Sequence, residues 1–145
     1  SFHRQLSDQW VSLPEKFMKK SYYFSEQEFN KCTPFCSIED MEQDFLYLMN
    51  DIRRKAGIPL IINCAYRSKE YDIKKGRYGN SAHTYGLAVD FKCLDNQTRQ
   101  KIIKAAHECG VVRMGIGRTF IHVDMGERVG LGPAIWVYDD NGNAV

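Results

Sequence analysis

The chain has 145 residues, of which 43% are hydrophobic and 26% are charged, values that are ordinary for one soluble globular domain. A net charge of +2 and a pI of about 8.2 give no electrostatic case for nucleic-acid binding. No apolar run approaches the roughly 18–20 residues that a membrane span needs, and the first residues lack the apolar stretch of a secretory signal. The chain does not begin with Met, which allows for an upstream segment that has been removed.

The first part of the chain predicts two helices behind an N-terminal extension. Residues 1–24 are mixed in character and rich in aromatic side chains. Ser25 begins a capping-box pattern for a short helix, which Pro34 should end. Ser37 is then expected to cap a longer helix, because the apolar residues after it recur every three or four positions. Gly57 is placed to close that helix in a left-handed cap.

The rest of the chain mixes short strands and helices without regular alternation, which favours an α+β fold over a doubly wound sheet. Strands are predicted at 60–65, 87–91, 111–116, 119–125 and 134–138. A few helical turns at 68–75 and a longer helix capped by Asp95 or Asn96 complete the pattern. Residues 139–145 should form a loose tail. The chain is therefore predicted to be a single domain, 1–145.

The segment 81–90 carries the first chemical signal. A His and an Asp seven residues apart cannot share a metal along one straight strand, since seven extended residues span roughly 23 Å. The chain must fold back between His83 and Asp90, and Gly86 has the backbone freedom that this bend needs. Beyond the bend, alternation along the strand turns the apolar residues to the core and leaves Asp90 on the open face.

A later strand, Phe-Ile-His-Val-Asp, carries the second signal. His122 and Asp124 point together to the face opposite the apolar residues of this strand. If this strand pairs antiparallel with the one that carries Asp90, then His83, Asp90 and His122 converge. Two imidazoles, one carboxylate and a water fit a tetrahedral zinc site with one open position, which is the catalytic arrangement.

These motifs resemble those of a known family. Ser-x-His-x-x-Gly-x-Ala-x-Asp at 81–90, followed by Phe-Ile-His-Val-Asp at 120–124, resembles the zinc D-Ala-D-Ala carboxypeptidases of peptidase family M15. The likeness is greatest to the murein peptidases and phage endolysins whose motif ends in His-Val-Asp. A third match is Ala-Tyr-Arg-Ser-Lys-Glu at 65–70, and the matched span covers roughly 24–138. The resemblance implies a Hedgehog/DD-peptidase-like α+β fold, with a small, mostly antiparallel sheet and flanking helices.

The resemblance also implies the roles of individual residues. His83, Asp90 and His122 are expected to bind one catalytic Zn²⁺. Arg67 is expected to contact the substrate, either by holding a carboxylate or by polarising the scissile carbonyl, and its planar guanidinium suits that role. Many members of the family place an acidic residue three positions before the last His ligand, where this chain has Thr119.

Asp124 is the nearest substitute for the missing carboxylate. It shares a strand face with His122 and is predicted to be the catalytic base that accepts the proton of the attacking water. The alternative is that it orients His122 through a hydrogen bond. Arg77 competes with Arg67 for the substrate contact. Two further side chains are assigned to substrate binding, with loop shaping and packing as their alternatives: Ser81 and Tyr85.

The five cysteines leave several interpretations open. An odd count argues against a scaffold held purely by disulfides. Cys32 and Cys36 form a C-x₃-C pair that would suit half of a structural zinc site or a local disulfide. No second pair matches them clearly, so we interpret them as two half-buried thiols. Cys64, Cys93 and Cys109 sit in apolar stretches and are interpreted as core thiols.

The predicted function is zinc-dependent hydrolysis of D-amino-acid-containing stem-peptide bonds in peptidoglycan. The enzyme would be a DD-carboxypeptidase or an endopeptidase, with an endolysin as one setting. Peptidoglycan stem peptides are the expected partner of a monomer in the periplasm or cell wall, reached by bacterial export or by release of a phage or prophage lysin. The alternative is a non-catalytic, zinc-stabilised module of the same fold that binds cell wall or protein, which the lack of an acidic residue at Thr119 leaves open.

Overall fold

A five-stranded sheet forms the centre of the computed structural model, which describes residues 19–145. The predicted extension at 1–24 lies mostly outside the described residues. The strands are β1 (Ile62–Cys64), β2 (Ala88–Lys92), β3 (Arg113–Ile116), β4 (Phe120–Asp124) and β5 (Ala134–Val137). The α-helices are α1 (Glu26–Asn30), α2 (Gln43–Ala56), α3 (Lys69–Lys74) and α4 (Asn96–Glu108). Short 3₁₀ helices lie at Ile38–Asp40, Ala82–Tyr85 and Gly126–Val129.

The sheet has the strand order β1-β2-β4-β3-β5. All neighbouring strands are antiparallel except β3 and β5, which run parallel. The architecture is therefore α+β with a mostly antiparallel sheet, as the sequence predicts. Within residues 19–145, every helix is too short or too polar to cross a membrane.

One face of the sheet supports the hydrophobic core. Helices α2 and α4 pack against each other, and α4 also contacts β4. The core side chains on the sheet are fully buried and come from the alternating apolar positions of β2 and β4: Val89, Phe91, Ile121 and Val123. Because side chains alternate along a strand, the polar residues between them lie on the opposite face. That opposite face carries Asp90 and His122.

The start of α2 differs from the prediction. Ser37 caps only the 3₁₀ helix, where the side chain of Asp40 bonds back to its backbone N–H. Met41 then takes an extended conformation and is buried, and Glu42 donates its backbone N–H to the carbonyl of Gly86. This long-range bond ties the entry of α2 to the bend before β2, so the helix begins only at Gln43.

The tail at 139–145 is hydrogen-bonded, whereas its composition predicts a loose end. The N–H of Asp139 donates to the Asn143 carbonyl at 2.7 Å, and the N–H of Val145 donates to the Val137 carbonyl at 2.8 Å. The carbonyl of Gly142 in this turn accepts a bond of 3.1 Å from Nη2 of Arg77. The tail therefore folds back along the end of β5 and reaches the loop that precedes the 81–90 segment.

Gly86→Ala is expected to destabilise the protein by about 3 kcal/mol or more. Gly86 has a φ of 69°, a left-handed conformation that costs other residues about 1–2 kcal/mol. A Cβ at this position would also collide with the carbonyl oxygen of Asp40 and would lie tightly against Cα of Met41. Gly57 is the matched control, because its φ is also 69° but nothing lies within 4 Å of an added Cβ. Urea denaturation should show a clearly smaller loss for Gly57→Ala, and equal losses would contradict the role of the close contact.

Candidate active site

The pairing of β2 with β4 brings the two predicted motifs together. In this antiparallel register Asp90 lies directly opposite His122, and Nδ1 of His122 lies 2.9 Å from Oδ1 of Asp90. His83 enters from the 3₁₀ helix at Ala82–Tyr85, which ends at Gly86. Its Nε2 lies 3.5 Å from the same Asp90 oxygen, and its ring centroid lies 5.0 Å from that of His122. The predicted bend therefore places both imidazoles on one carboxylate.

A backbone carbonyl fixes the orientation of the His83 ring. Its Nδ1 lies 2.5 Å from the carbonyl oxygen of Ala65, which leaves Nε2 directed at Asp90. The carbonyl of His83 in turn accepts the backbone N–H of Arg67. The Tyr-Arg-Ser segment and the first imidazole are thereby joined through backbone atoms, and the side chain of His83 is buried.

Strong electrostatic coupling links His83 and Asp90. Burial by itself lowers the pKa of His83, but the Asp90 carboxylate and the Cys64 thiol outweigh it and raise the pKa of His83 to about 10. Burial by itself raises the pKa of Asp90, but His83 and His122 outweigh it and hold that pKa well below its usual range. His83 and Asp90 therefore stabilise each other's charged forms.

Asp124 holds His122 from the other side. Its Oδ2 lies 2.6 Å from Nε2 of His122, and its Oδ1 accepts bonds of 2.7 Å from Nε of Arg113 and from the N–H of Gly126. Burial favours the neutral form, but the bonds from His122 and Gly126 and the charge of Arg113 hold the pKa of Asp124 below its usual range. Both oxygens of this carboxylate are engaged, and its side chain is only 2% exposed.

A second buried carboxylate, Asp72, organises the Arg67 side of the site. Oδ1 of Asp72 accepts a bond of 2.7 Å from Nε of Arg67 and one of 2.9 Å from the hydroxyl of Ser81, and Oδ2 accepts the N–H of Gly79. Burial on its own would raise the pKa of Asp72, but these partners outweigh it and lower that pKa. Asp72 therefore fixes the guanidinium of Arg67 and the start of the 81–90 segment.

These groups line one cleft of about 330 Å³. Its lining includes every predicted metal ligand, Asp124, Ser81 and three guanidinium groups, which belong to Arg67, Arg77 and Arg113. Trp136 and Tyr138 from the last strand region and Gly142 from the tail turn form part of the wall. Tyr85 is exposed and is not among the lining residues, so the structure does not bring it to the cleft. Thr119 is exposed as well and does not contribute to the lining.

Two residues that organise this cleft carry no clear signal in the sequence. Asp72 has the appearance of an ordinary acidic residue in the first turn of a helix, and only its complete burial distinguishes it. Arg113 is inconspicuous at the start of β3, yet its guanidinium bonds Asp124 and lies 5.0 Å from the ring centroid of Trp136. The contact of Arg113 with Asp124 could have been predicted from the pairing of β3 with β4. That pairing sets the two residues opposite each other.

Asp72→Ala is expected to destabilise the protein by about 3 kcal/mol at neutral pH, because it leaves a largely buried guanidinium without its charge partner. The pair of Asp44 with Arg128 is the control, since its length is similar, 2.8 against 2.7 Å, but it is exposed. Asp44→Ala should leave stability almost unchanged in urea denaturation.

The pH dependence of this effect follows from the lowered pKa of Asp72. A carboxyl whose pKa is lowered by folding contributes stability above its unfolded pKa of about 3.9, and loses it as the pH falls through the folded value. The difference between wild type and Asp72→Ala should therefore stay constant from pH 7 to about pH 5 and shrink below about pH 4. A difference that grows on acidification would contradict this role.

The fold and the site together define a class of protein. A cleft that ends on two imidazoles and two carboxylates, with guanidinium groups beside them, brings together residue types that serve in acid–base catalysis and metal binding. A family model described as Peptidase M15 matches residues 22–124, which is more than half of the chain. The protein therefore belongs to the peptidase M15 family, and the predicted family is confirmed.

Solved structures support the same fold. The structure is similar to the crystal structure of the Serratia marcescens L-Ala D-Glu endopeptidase ChiX, with a TM-score of 0.50 and 15% sequence identity. The similarity covers 81% of this chain and 98% of that chain. At this identity the likeness bears on the fold alone, and it confirms the predicted α+β architecture. The comparison with curated proteins found no match.

Proposed function

We propose that this protein is a zinc-dependent peptidase that hydrolyses stem-peptide bonds of peptidoglycan. The observation that carries the proposal is the β2–β4 register, which sets Asp90 opposite His122 beneath an open cleft and leaves His83 on the same carboxylate. Membership of a peptidase family supports the reaction type. The family resemblance points to peptidoglycan as the substrate, and a protein of similar fold is described as an L-Ala D-Glu endopeptidase.

The donor set fits a zinc ion. Two imidazoles and one carboxylate are ligand types of catalytic zinc sites, and such sites keep one position open. In this protein His83, Asp90 and His122 would hold the ion. When bound, zinc would polarise the peptide carbonyl and lower the pKa of a water molecule. The backing of His83 by the Ala65 carbonyl and of His122 by Asp124 is the supporting shell that metal-binding histidines usually have.

The guanidinium groups suit a substrate that carries carboxylates. Asp72 engages Nε of Arg67, and the two terminal nitrogens of that planar group are donors for a substrate carboxylate or for the developing oxyanion. Arg77 is tethered through Nη2 to the tail turn at the other side of the cleft and is our second candidate for a carboxylate contact. The hydroxyl of Ser81 donates a hydrogen bond to Asp72, so we propose that Ser81 shapes the loop that precedes His83.

The contacts of Asp124 help to choose between its two predicted roles. The sequence leaves two roles open for this residue: catalytic base, and orienting partner of His122. Because both carboxylate oxygens are engaged and the side chain is buried, we propose the orienting role, supported by Arg113. Asp124 would fix Nε2 of His122, so that Nδ1 faces Asp90 and the metal position.

Incubation with purified peptidoglycan tests the proposed function. We expect new amino termini to appear, to vanish with a chelator and to return with added Zn²⁺, and mass spectrometry of the products would identify the bond and separate carboxypeptidase from endopeptidase cleavage. Several wall types should be tried, because periplasmic and phage-released enzymes meet different walls. Binding to the wall without any zinc-dependent release would favour the non-catalytic module instead.

A further inference from the structure

A glycine on β3 lets an aromatic side chain of the edge strand reach the candidate metal site. Gly115 pairs with His122 of β4 on one side and with Trp136 of β5 on the other, so these three residues lie in one row across the sheet. Paired residues of neighbouring strands project to the same face, which here is the open face that carries Asp90 and His122. Because Gly115 has no side chain, the indole of Trp136 lies across it. A Cβ at Gly115 would be only 2.5 Å from Nε1 of Trp136.

The ring of Trp136 forms a wall of the cleft directly beside His122. Its centroid lies 5.4 Å from that of the imidazole, and the guanidinium carbon of Arg113 lies 5.0 Å from the indole centroid. Tyr138 continues the wall, because its ring centroid lies 6.3 Å from that of Trp136 and 5.1 Å from that of Phe120. Trp136 and Tyr138 are only half-buried, and both line the cleft. The wall therefore faces the occupant of the cleft and is not part of the hydrophobic core.

This aromatic wall and Arg67 lie on opposite sides of the proposed metal position. The strand order places β5 at one edge of the sheet and β1 at the other, where Arg67 follows β1 and bonds the backbone of His83. A peptide whose scissile carbonyl lies between them would have one side near Arg67 and the other against Trp136. The cleft volume of about 330 Å³ is at the lower end of the range of about 300–1,000 Å³ for ligand pockets. Little room is left for a side chain at the wall.

We propose that Trp136 is a specificity-determining residue, which restricts the substrate residue that lies against it, beside the cleaved bond, to a side chain as small as that of alanine. The inference rests on the proposed function and adds the substrate class of one subsite. The indole offers a flat apolar surface for a methyl group. A larger side chain would have to displace the ring from its position between His122 and Arg113, and such overpacking is unfavourable.

Ile135 supplies a matched control on the same strand. Side chains alternate along β5, so Ile135 projects to the face opposite that of Trp136. It is 69% exposed and does not line the cleft. Ile135→Ala therefore removes an apolar side chain from β5 without any change to the aromatic wall.

Kinetics on pairs of synthetic stem peptides test the inference. One peptide keeps the alanine beside the cleaved bond, and the other carries leucine of the same configuration there, with each alanine replaced in turn if two flank the bond. One methylene in an apolar pocket changes kcat/KM by about 10–200-fold. We therefore expect wild type and Ile135→Ala to favour the alanine peptide by at least about 100-fold for one flanking position. Trp136→Ala should reduce this preference at least about tenfold, and Trp136→Phe should give an intermediate value.

The ratio of the two kcat/KM values separates a specificity role from a structural one, because a purely structural loss lowers both values by the same factor. Circular dichroism would check that the variants are folded. Trp136→Phe keeps an aromatic ring and decides the matter if Trp136→Ala does not fold.

The possible failures are distinguishable. A wild-type protein that cleaves both peptides at similar rates, or that cleaves a bond flanked by two larger residues, would overturn the role of Trp136 and leave the proposed function standing. That result needs no variant. An unchanged preference in the folded Trp136 variants, or an equal loss of preference in Ile135→Ala, would also overturn it. A wild-type protein that hydrolyses neither the peptides nor peptidoglycan would overturn both this inference and the proposed function.

Discussion

His83→Ala is expected to abolish both zinc retention and the hydrolysis of peptidoglycan. His83 is buried, and its Nε2 faces the carboxylate that also receives Nδ1 of His122. Loss of a supporting hydrogen bond alone weakens metal binding by about 10–100-fold. Loss of a ligand nitrogen should exceed that range, so zinc should be removed by dialysis. Metal analysis of the dialysed protein and release of amino termini from peptidoglycan are the two measurements.

His107→Ala is the matched control for this experiment. His107 is an exposed histidine in the last turn of α4, away from the cleft lining. Its replacement should leave the zinc content and the hydrolytic rate at wild-type values. A His83→Ala protein that retains one zinc per chain and cleaves peptidoglycan at the normal rate would refute the assignment of this ligand.

Asp124→Asn is expected to weaken zinc binding about 10–100-fold, and an excess of zinc should restore most of the lost hydrolytic rate. The reason is that Asp124, in our proposal, contacts neither the substrate nor the attacking water. It acts by holding Nε2 of His122, while Arg113 and Gly126 hold its other oxygen. An amide keeps the size of the side chain but loses the charge that pairs with Arg113. Zinc affinity measured by competition with a chelating dye, together with rates at limiting and saturating zinc, provides the readout.

The same variant separates the two roles of Asp124. If Asp124 is the catalytic base, its replacement by Asn should leave zinc affinity unchanged. The rate should then fall by about 10²–10⁴-fold at every zinc concentration. That result would support the role of catalytic base that the sequence predicts for Asp124. Asp44→Asn, at an exposed ion pair with Arg128, controls for the removal of one negative charge and should change neither quantity.

The sequence predicted the parts of this site that depend on local pattern. His83 and Asp90 lie seven positions apart and can meet only if the chain bends between them, and Gly86 supplies the bend with a left-handed conformation. Alternation along β2 and β4 placed the apolar residues in the core and left Asp90 and His122 on the other face. Both patterns follow from short-range geometry of the backbone, so they can be inferred without knowledge of the rest of the fold.

Other features were accessible only from contacts between distant segments. The start of α2 depends on a bond from Glu42 to Gly86, and the ordered tail depends on bonds to β5 and Arg77. Asp72 became visible as an organiser of Arg67 only through its burial. Residue propensity and hydrophobic periodicity do not predict such long-range hydrogen bonds. The separation of two residues in the sequence does not determine their distance in the folded protein.

The sequence by itself thus determined which residues approach one another at the proposed metal position: two imidazoles and a carboxylate on the open face of a sheet. Only the tertiary structure decided what surrounds them. It joined Asp124 to Arg113 through the β3–β4 pairing, and it turned Cys64 toward His83 through a bulge in β1. The physical reason is strand register: a shift of one residue moves a side chain to the other face, and register is set by the whole sheet.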